Sequence, residues 1–330
     1  MSRVPNRVYP NGDTADNIRY FVQYGVLAPS THNTQPWRFE VDNNVLRITP
    51  DHARSLPQAD PTTRNLFVSI GACIENIIVA AQAYGYEVTL TDVSKTHILL
   101  TFKASAKKSA PTVEILEAIE RRHSHKHLYK KEPLKSAHRK ALQIDHVPNT
   151  EIAYIDDVAT IGAIAALHQN SINKLGRDAR FGAELSRWLR DNSGRHHDGM
   201  PGMVTGVKGP TLYIIRALIR RVPKMITILG KKDYAVLSAS PLVGVVATQG
   251  NAITDWVNAG RAYEAAAIAA TAHGVVSAPL TAMMEDAEAV TELQKIFKLR
   301  GKTLQVFLRF GYSDNPAIYT PRRPMAEVLR

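Results

Sequence analysis

Residues 120–131, ERRHSHKHLYKK, crowd Arg121, Arg122, Ser124 and Lys126 into six positions. Two guanidinium forks and a hydroxyl are the groups that grip a phosphate dianion, and an ammonium two residues on could reach a second electron-rich atom. The same residues equally suit a solvated basic helix end that complements the helix dipole, and the segment alone does not choose. A second cationic pair, Arg322 and Arg323, lies between Pro321 and Pro324 in the tail YTPRRPMAEVL, an extended setting that could add another phosphate contact.

Other chemistries find less support. His123, His125 and His127 alternate, so they align only if the segment is extended, and no carboxylate or thiol stands at ligand spacing. His196, His197 and Asp198 likewise lack a third helix-spaced ligand, and no metal is expected. Cys73 is the sole cysteine, which rules out an internal disulfide and a multi-Cys metal site. The chain carries neither a G-x-S-x-G elbow nor a glycine-rich phosphate loop, so any phosphate must be held by side chains. One polar run stands out: in LAPSTHNTQPWRF, Ser30 to Gln35 sit between an apolar stretch and Pro36-Trp37.

Lys and Arg number 41 against 30 Asp and Glu, a formal +11 that suits an anionic ligand. Aromatic residues are only 7% and none is interleaved with a basic stretch, which argues against nucleic acid. At 330 residues the chain can build one large core or two units sharing an interface. The start MSRVPNRVYPNGD has no apolar signal core, and no run approaches the roughly 18 uncharged apolar residues of a membrane span, so a soluble cytoplasmic chain without membrane contact is expected.

The elements that must position these groups follow from periodicity. A helix capped by Asp13 or Thr14 carries Ile18, Phe21, Val22 and Val26 at three- and four-residue steps and ends at Pro29. WRFEVDNNVLRI alternates around an Asp-Asn-Asn turn and predicts a hairpin, so the polar run is a helix-to-strand loop. A long apolar helix over 62–83 precedes two strands, YEVTL and HILLTF. Helices are predicted over 111–122, 134–144, 157–190 and 251–273, and strands at EIAYI, LVGVVAT and TLQVFLRFGY.

With an offset of 189, Val68, Gly71, Glu75, Ala80, Ala81, Ala83 and Gly85 fall on Val257, Gly260, Glu264, Ala269, Ala270, Ala272 and Gly274 without a gap. Small residues on one stripe let two backbones approach closely, so the two long helices are expected to pack about a pseudo-two-fold axis; two unrelated Ala-rich core helices would read similarly. Residues 192–235, rich in Gly, Pro and Met and carrying Arg216, Arg220 and Arg221, suit a lid over a site or a surface excursion without a role.

Taken together, APSTHNTQPW resembles the PS..N.QPW segment of the nitroreductase superfamily, FMN-dependent reductases that work as homodimers with flavin at the subunit interface. RRHSHK resembles that family's phosphate-binding start, HGVVSAPLTA the stretch that lies against the flavin ring, VFLRFGY a late strand, and PRRP the terminal arginine segment. DHARSLPQADPTTRNLFVSIGACIENIIVAA further resembles the Acg-type branch, in which one chain carries two reduced halves.

The resemblance implies an α+β, nitroreductase-like fold, internally duplicated as a single-chain pseudo-dimer with a lid insertion. The halves would be 1–110 and 111–330, with 192–235 as the lid. In ordinary members the R.S.K segment precedes PS..N.QPW, whereas here it follows by about ninety residues, as a fused pseudo-dimer would explain. One FMN per monomeric chain is therefore implied, contacted by Pro29, Ser30, Thr31, Asn33, Arg121, Arg122, His123, Ser124, Lys126, Pro279, Leu280, Thr281, Ala282, Arg322 and Arg323. Asn33 and Gln35 could instead only stabilise their loop, and Trp37 reads as a core anchor. The implied activity is reduction of a small acceptor of nitroaromatic or quinone type with NAD(P)H or another reductant; the alternative is a non-enzymatic protein that stores FMN under its lid.

Overall fold

The computed structural model describes residues 3–4, 8–10, 12–105, 113–205, 211–221 and 226–330. The expected division at 110/111 and two stretches of the insertion, 206–210 and 222–225, lie outside the described residues, as does the side chain of Arg221.

The first half opens with α1 (Thr14–Gly25), whose start is fixed by Asp13 accepting a hydrogen bond from the Asp16 amide at 2.8 Å. The hairpin β1 (Trp37–Asp42) and β2 (Val45–Pro50) turns at Asn43, which adopts φ 53. Then come α2 (Arg64–Ala83), β3 (Tyr86–Val93) and β4 (Ile98–Ala104), giving an antiparallel sheet in the order β1-β2-β4-β3. Trp37 is fully buried, as a core anchor should be.

The second half begins with α3 (Val113–Arg121), α4 (Ser136–Ala141) and β5 (Thr150–Ile155). The single helix predicted over 157–190 is two, α5 (Val158–Leu175) and α6 (Ala179–Trp188), because the Asp178 side chain accepts from the Arg180 amide at 2.8 Å and starts a new helix. The insertion adds β6 (Leu189–Arg190), β7 (Met200–Pro201), α7 (Gly202–Thr205), α8 (Thr211–Arg221) and α9 (Ile226–Ser238). The chain continues through β8 (Leu242–Thr248), α10 (Ile253–Ala272), β9 (Val276–Pro279), α11 (Ala287–Ile296), β10 (Thr303–Gly311) and α12 (Met325–Val328). The second sheet is also four-stranded, in the order β5-β8-β10-β9. TLQVFLRFGY therefore forms an interior strand, and the tail beyond it returns to the first sheet, where the Arg330 amide donates to Phe39 O at 2.9 Å.

The two long helices pack at the centre, and the repeat seen in the sequence is their contact. A Cβ placed on Gly71 would lie 2.0 Å from Val257 O, and one placed on Gly260 would lie 2.0 Å from Val68 O. These are the same two positions in each helix, exchanged across a pseudo-two-fold axis. The equivalent acids Glu75 and Glu264 are both buried but have diverged: Glu75 binds Arg261 at 3.0 Å and His146 at 2.9 Å, whereas Glu264 meets Arg122 at 2.7 Å. By mean hydropathy α2 is long and apolar enough to cross a membrane, which no uncharged run had suggested, but 89% of that window is buried against the rest of the protein.

Candidate functional site

A cavity of about 360 Å³ opens between the halves, within the usual size of a small-molecule site. Loop 29–33 and the Asn65–Ser69 turn of α2 come from the first half. Residues 122–126, 279–282 and 320–322 come from the second, joined by α5, α6, α8 and α9.

Its polar end is built by extension of the second sheet. Beyond α3 the chain runs straight beside β9, with Ser124 bridging Ser277 and the His125 amide donating to Ser277 O at 2.9 Å. Arg309 of β10 holds the next turn by donating to His125 O at 2.8 Å and His127 O at 3.1 Å, its guanidinium 4.0 Å above the Tyr129 ring. The three alternating histidines do lie along one extended segment, with His123 Nε2 3.0 Å from His125 Nδ1. Burial lowers both of these imidazoles, His125 to about 4, so each is neutral near pH 7.

Three guanidiniums gather at this end: Arg122, Arg322 and, unforeseen from the sequence, Arg3. Arg322 donates to Leu27 O at 2.8 Å and to Asn33 Oδ1 at 3.0 Å, yet its buried Nε has no partner. Burial drives Arg322 well below the ordinary arginine value, and Arg3 and Arg122 push the same way. Arg3 is itself pulled down to about 10, first by burial and then by Arg122. Buried Glu264 opposes all three and Glu120, which accepts from the Arg3 amide at 3.0 Å, opposes Arg3, so three guanidiniums face two carboxylates. Ser124 and Tyr263, which share a hydrogen bond, also line this end. The arrangement has the donors and the charge that suit an anion with several acceptor oxygens.

Loop 30–35 forms the middle wall and explains its polar composition. His32, Asn33 and Gln35 all take the left-handed conformation, with φ of 53, 55 and 52. Such residues persist where their surroundings hold them. Asn33 Nδ2 donates to Gly199 O at 3.0 Å and Pro321 O at 3.1 Å; Gln35 Nε2 donates to His197 O at 2.8 Å, and Gln35 Oε1 accepts from the Arg323 amide at 2.8 Å. The loop thus fastens both the start of the insertion and the C-terminal tail, and Asn33 combines that role with a place on the cavity wall. Asp198 adds ion pairs to Arg54 and Arg190, each at 2.9 Å.

Asn33→Ala should remove the side-chain ties to Gly199, Pro321 and Arg322, costing about 1–3 kcal/mol locally. Limited proteolysis should then cut near residues 195–205 faster than in the parent chain; unchanged cutting would mean the clamp is dispensable.

Lys126 reaches the cavity from the extended segment and stays accessible from it. Surrounding walls lower its ammonium pKa, with Asp233 opposing and Lys232 and Arg309 reinforcing the shift. His32 faces it; burial and then the Lys126 charge bring that imidazole down to about 4. Pro279, Leu280, Thr281 and Ala282 line the cavity as well. The far end is apolar, walled by Ile172, Phe181, Leu185, Leu212, Ile219 and Ile226, so the described part of the insertion covers the site.

Of the residues singled out in the sequence, Arg121 and Arg323 do not line the cavity. Arg121 is exposed at the end of α3. Arg323 turns the other way, donating to Gln35 O at 3.2 Å and Trp37 O at 3.4 Å and pairing with Glu327 at 3.4 Å. Both belong to Arg-Arg pairs, and neighbouring side chains in an extended run point to opposite sides, so one arginine of 322–323 can face inward. Arg3, Tyr263 and Asp233 escaped notice because only tertiary packing brings them here, whereas His32 belongs to the polar run already singled out but was given no role of its own.

Known proteins share this sequence pattern along its length. "Putative NAD(P)H nitroreductase Rv3131" of Mycobacterium tuberculosis strain H37Rv is 24% identical over 98% of this chain and 93% of its own length. "Putative NAD(P)H nitroreductase acg" of the same organism is 35% identical over 22% of each chain. Over nearly its whole length the chain is thus similar to a protein named as a putative NAD(P)H nitroreductase. No family model matches it. Among solved nitroreductases, NfnB from Mycobacterium smegmatis, in complex with NADPH, aligns with 66% of this chain and 98% of its own at 14% identity and a TM-score of 0.43. An FMN-bound nitroreductase from Bacteroides fragilis aligns with 64% of this chain and 94% of its own at 12% identity and a TM-score of 0.42. The two four-stranded sheets are formed by consecutive parts of one chain, as the Acg-type resemblance implied.

Proposed function

We propose that the cavity holds one FMN and that the protein is an FMN-dependent, NAD(P)H-linked oxidoreductase acting on a small electron acceptor of nitroaromatic or quinone type. The observation that carries this reading is the cluster of Arg3, Arg122 and Arg322 around Ser124, opposed by buried Glu264 and, at Arg3, by Glu120, with the Arg322 Nε unpartnered. Those groups fit the flavin phosphate, and the cavity beyond them, polar along loop 29–33 and apolar under the insertion, fits a flat ring with one polar edge. Bound flavin supplies two-electron hydride chemistry. Lys126, a cation on the cavity wall, favours uptake of negative charge by whatever ring lies beside it. The relatives named as NAD(P)H nitroreductases support the choice of reductant.

One observation favours a second reading, in which FMN is stored rather than turned over. The insertion is tied down over the cavity at Asn33, Gln35 and Asp198, and access for nicotinamide would require those ties to open.

Purified protein separates the two. Yellow colour that bleaches with NADPH without oxygen, and returns on adding a quinone or nitroaromatic, supports turnover. Colour that NADPH leaves unchanged supports storage, and a colourless preparation that takes up no added FMN ends both. Lys126→Ala should keep FMN but lower its midpoint potential, by about 30 mV for each 1.4 kcal/mol of lost stabilisation. An unchanged potential would remove Lys126 from this role.

A further inference from the structure

The side of the insertion that faces away from the cavity carries a surface of its own. On α8, Leu212, Ile215 and Ile219 line the cavity, while Tyr213 and Ile214 are 57% and 59% exposed. Leu218, one turn beyond Ile214 on the same stripe, is also exposed, and on α9 Ile228 is 57% exposed. Apolar residues on both sides of a helix are unusual in a surface element, where one face is ordinarily polar.

Charge marks the same region. From Gly199 to Lys232 the sequence has no Asp or Glu and seven Lys or Arg, including Arg216 and Arg220 on α8 and Lys231 on α9. Arg220 and Lys231 are exposed and Arg216 is half-buried.

We propose that the outer face of α8 and α9 docks on an anionic lipid surface. Ile214, Leu218 and Ile228 would enter the boundary between head groups and acyl chains while the exposed Arg220 and Lys231 meet lipid phosphates. Such contact lies in the plane of the bilayer and needs no spanning helix.

Two other occupants fit less well. A second copy of the chain, joined through this face by a two-fold axis, would set basic side chains against one another with no acid from 199 to 232 to pair them. RNA would find positive charge, but the exposed apolar residues are mostly aliphatic and offer few planes on which bases stack. The inference goes beyond the flavin reading and does not depend on it.

Vesicle flotation of the full chain tests it. Phosphatidylcholine vesicles containing phosphatidylglycerol should carry the protein at low salt, pure phosphatidylcholine should not, and added salt should release it. I214S/L218S and, separately, R220Q/K231Q should weaken capture. The charge pair should do so by about 30-fold, at roughly 1 kcal/mol per charge.

None of these four residues lines the cavity, so flavin content and circular dichroism should match the parent. The proposal is overturned if the parent ignores anionic vesicles, or if both variants bind like it. It is equally overturned if the parent binds polyuridylate but not vesicles, or if this face instead drives dimerisation in sedimentation.

Discussion

Replacing Arg122 with alanine is expected to cost about 3–5 kcal/mol of folding stability above pH 7, the usual penalty for stranding one member of a buried ion pair. Arg122 is 2% exposed and Glu264 0%, with Arg122 Nε 2.7 Å from Glu264 Oε1. The other end of the guanidinium donates to Leu27 O at 2.8 Å, so the substitution also frees the chain that leads into loop 29–35. A residue that only touched a ligand phosphate would show no such loss in the ligand-free chain.

The pH dependence gives this prediction its sign. Burial raises the Glu264 carboxyl from 4.5 to about 7, with Arg122 pulling the other way. Between those two values the folded chain holds a proton that the unfolded chain has lost, so this group's contribution to stability falls as pH rises and levels off above about 7. Without Arg122 the carboxyl rises further, and the decline continues where the parent has levelled off. Urea unfolding should therefore show a deficit that is larger at about pH 8.5 than at about pH 6, because the charge part of the cost appears only once the parent's carboxylate ionises. Pairing the change with Glu264→Gln should recover most of the high-pH deficit, since no stranded charge remains. A deficit that ignores pH, or no rescue, would show that the pair is not what holds the two segments together.

Gly260→Ala should cost about 3 kcal/mol or more, beyond the ordinary range for one extra methyl in a core. The new carbon would fall 2.0 Å from Val68 O and 3.0 Å from the Ala72 amide nitrogen, and both obstacles are backbone, so no rotamer relieves them. The gain in helix propensity, about 1 kcal/mol, is too small to reverse the sign. Gly71→Ala should behave alike, since its methyl meets Val257 O at 2.0 Å. Once one alanine has pushed α2 from α10 the second meets less resistance, so the double variant should lose less than the sum of the singles. Denaturation midpoints decide the matter: single losses below 1 kcal/mol that simply add would mean the helices are not locked at this crossing.

That crossing was the most legible feature of the sequence. Glycines recurring 189 positions apart could be matched from the residues alone, because a close helix contact tolerates nothing larger at either position. The hairpin was legible for a similar reason, since alternation is a local signal, whereas the extended run at 122–127 stayed open because its alternation rested on three histidines that also suited a helix end. Long-range bonding was not. The polar loop at 30–35 declared that it had some purpose, but nothing in its residues says that Asn33 bonds Gly199 and Pro321, or that Gln35 bonds His197. Glu264 looked like one more match in a repeat; its importance comes from Arg122, which reaches it from another element. Arg121 and Arg323 were singled out with their neighbours because sequence adjacency does not tell which of two side chains faces inward.

Fusion of the halves also changes how the cavity can be lost. Where a pocket forms between separate subunits, dilution empties it once the protein falls below its dissociation constant. Here the PSTHN loop and the RRHSHK segment are tethered by one polypeptide, so each sees the other at a fixed effective concentration however little protein is present. A ligand held between the two segments would then be lost from each molecule at a rate that does not depend on protein concentration.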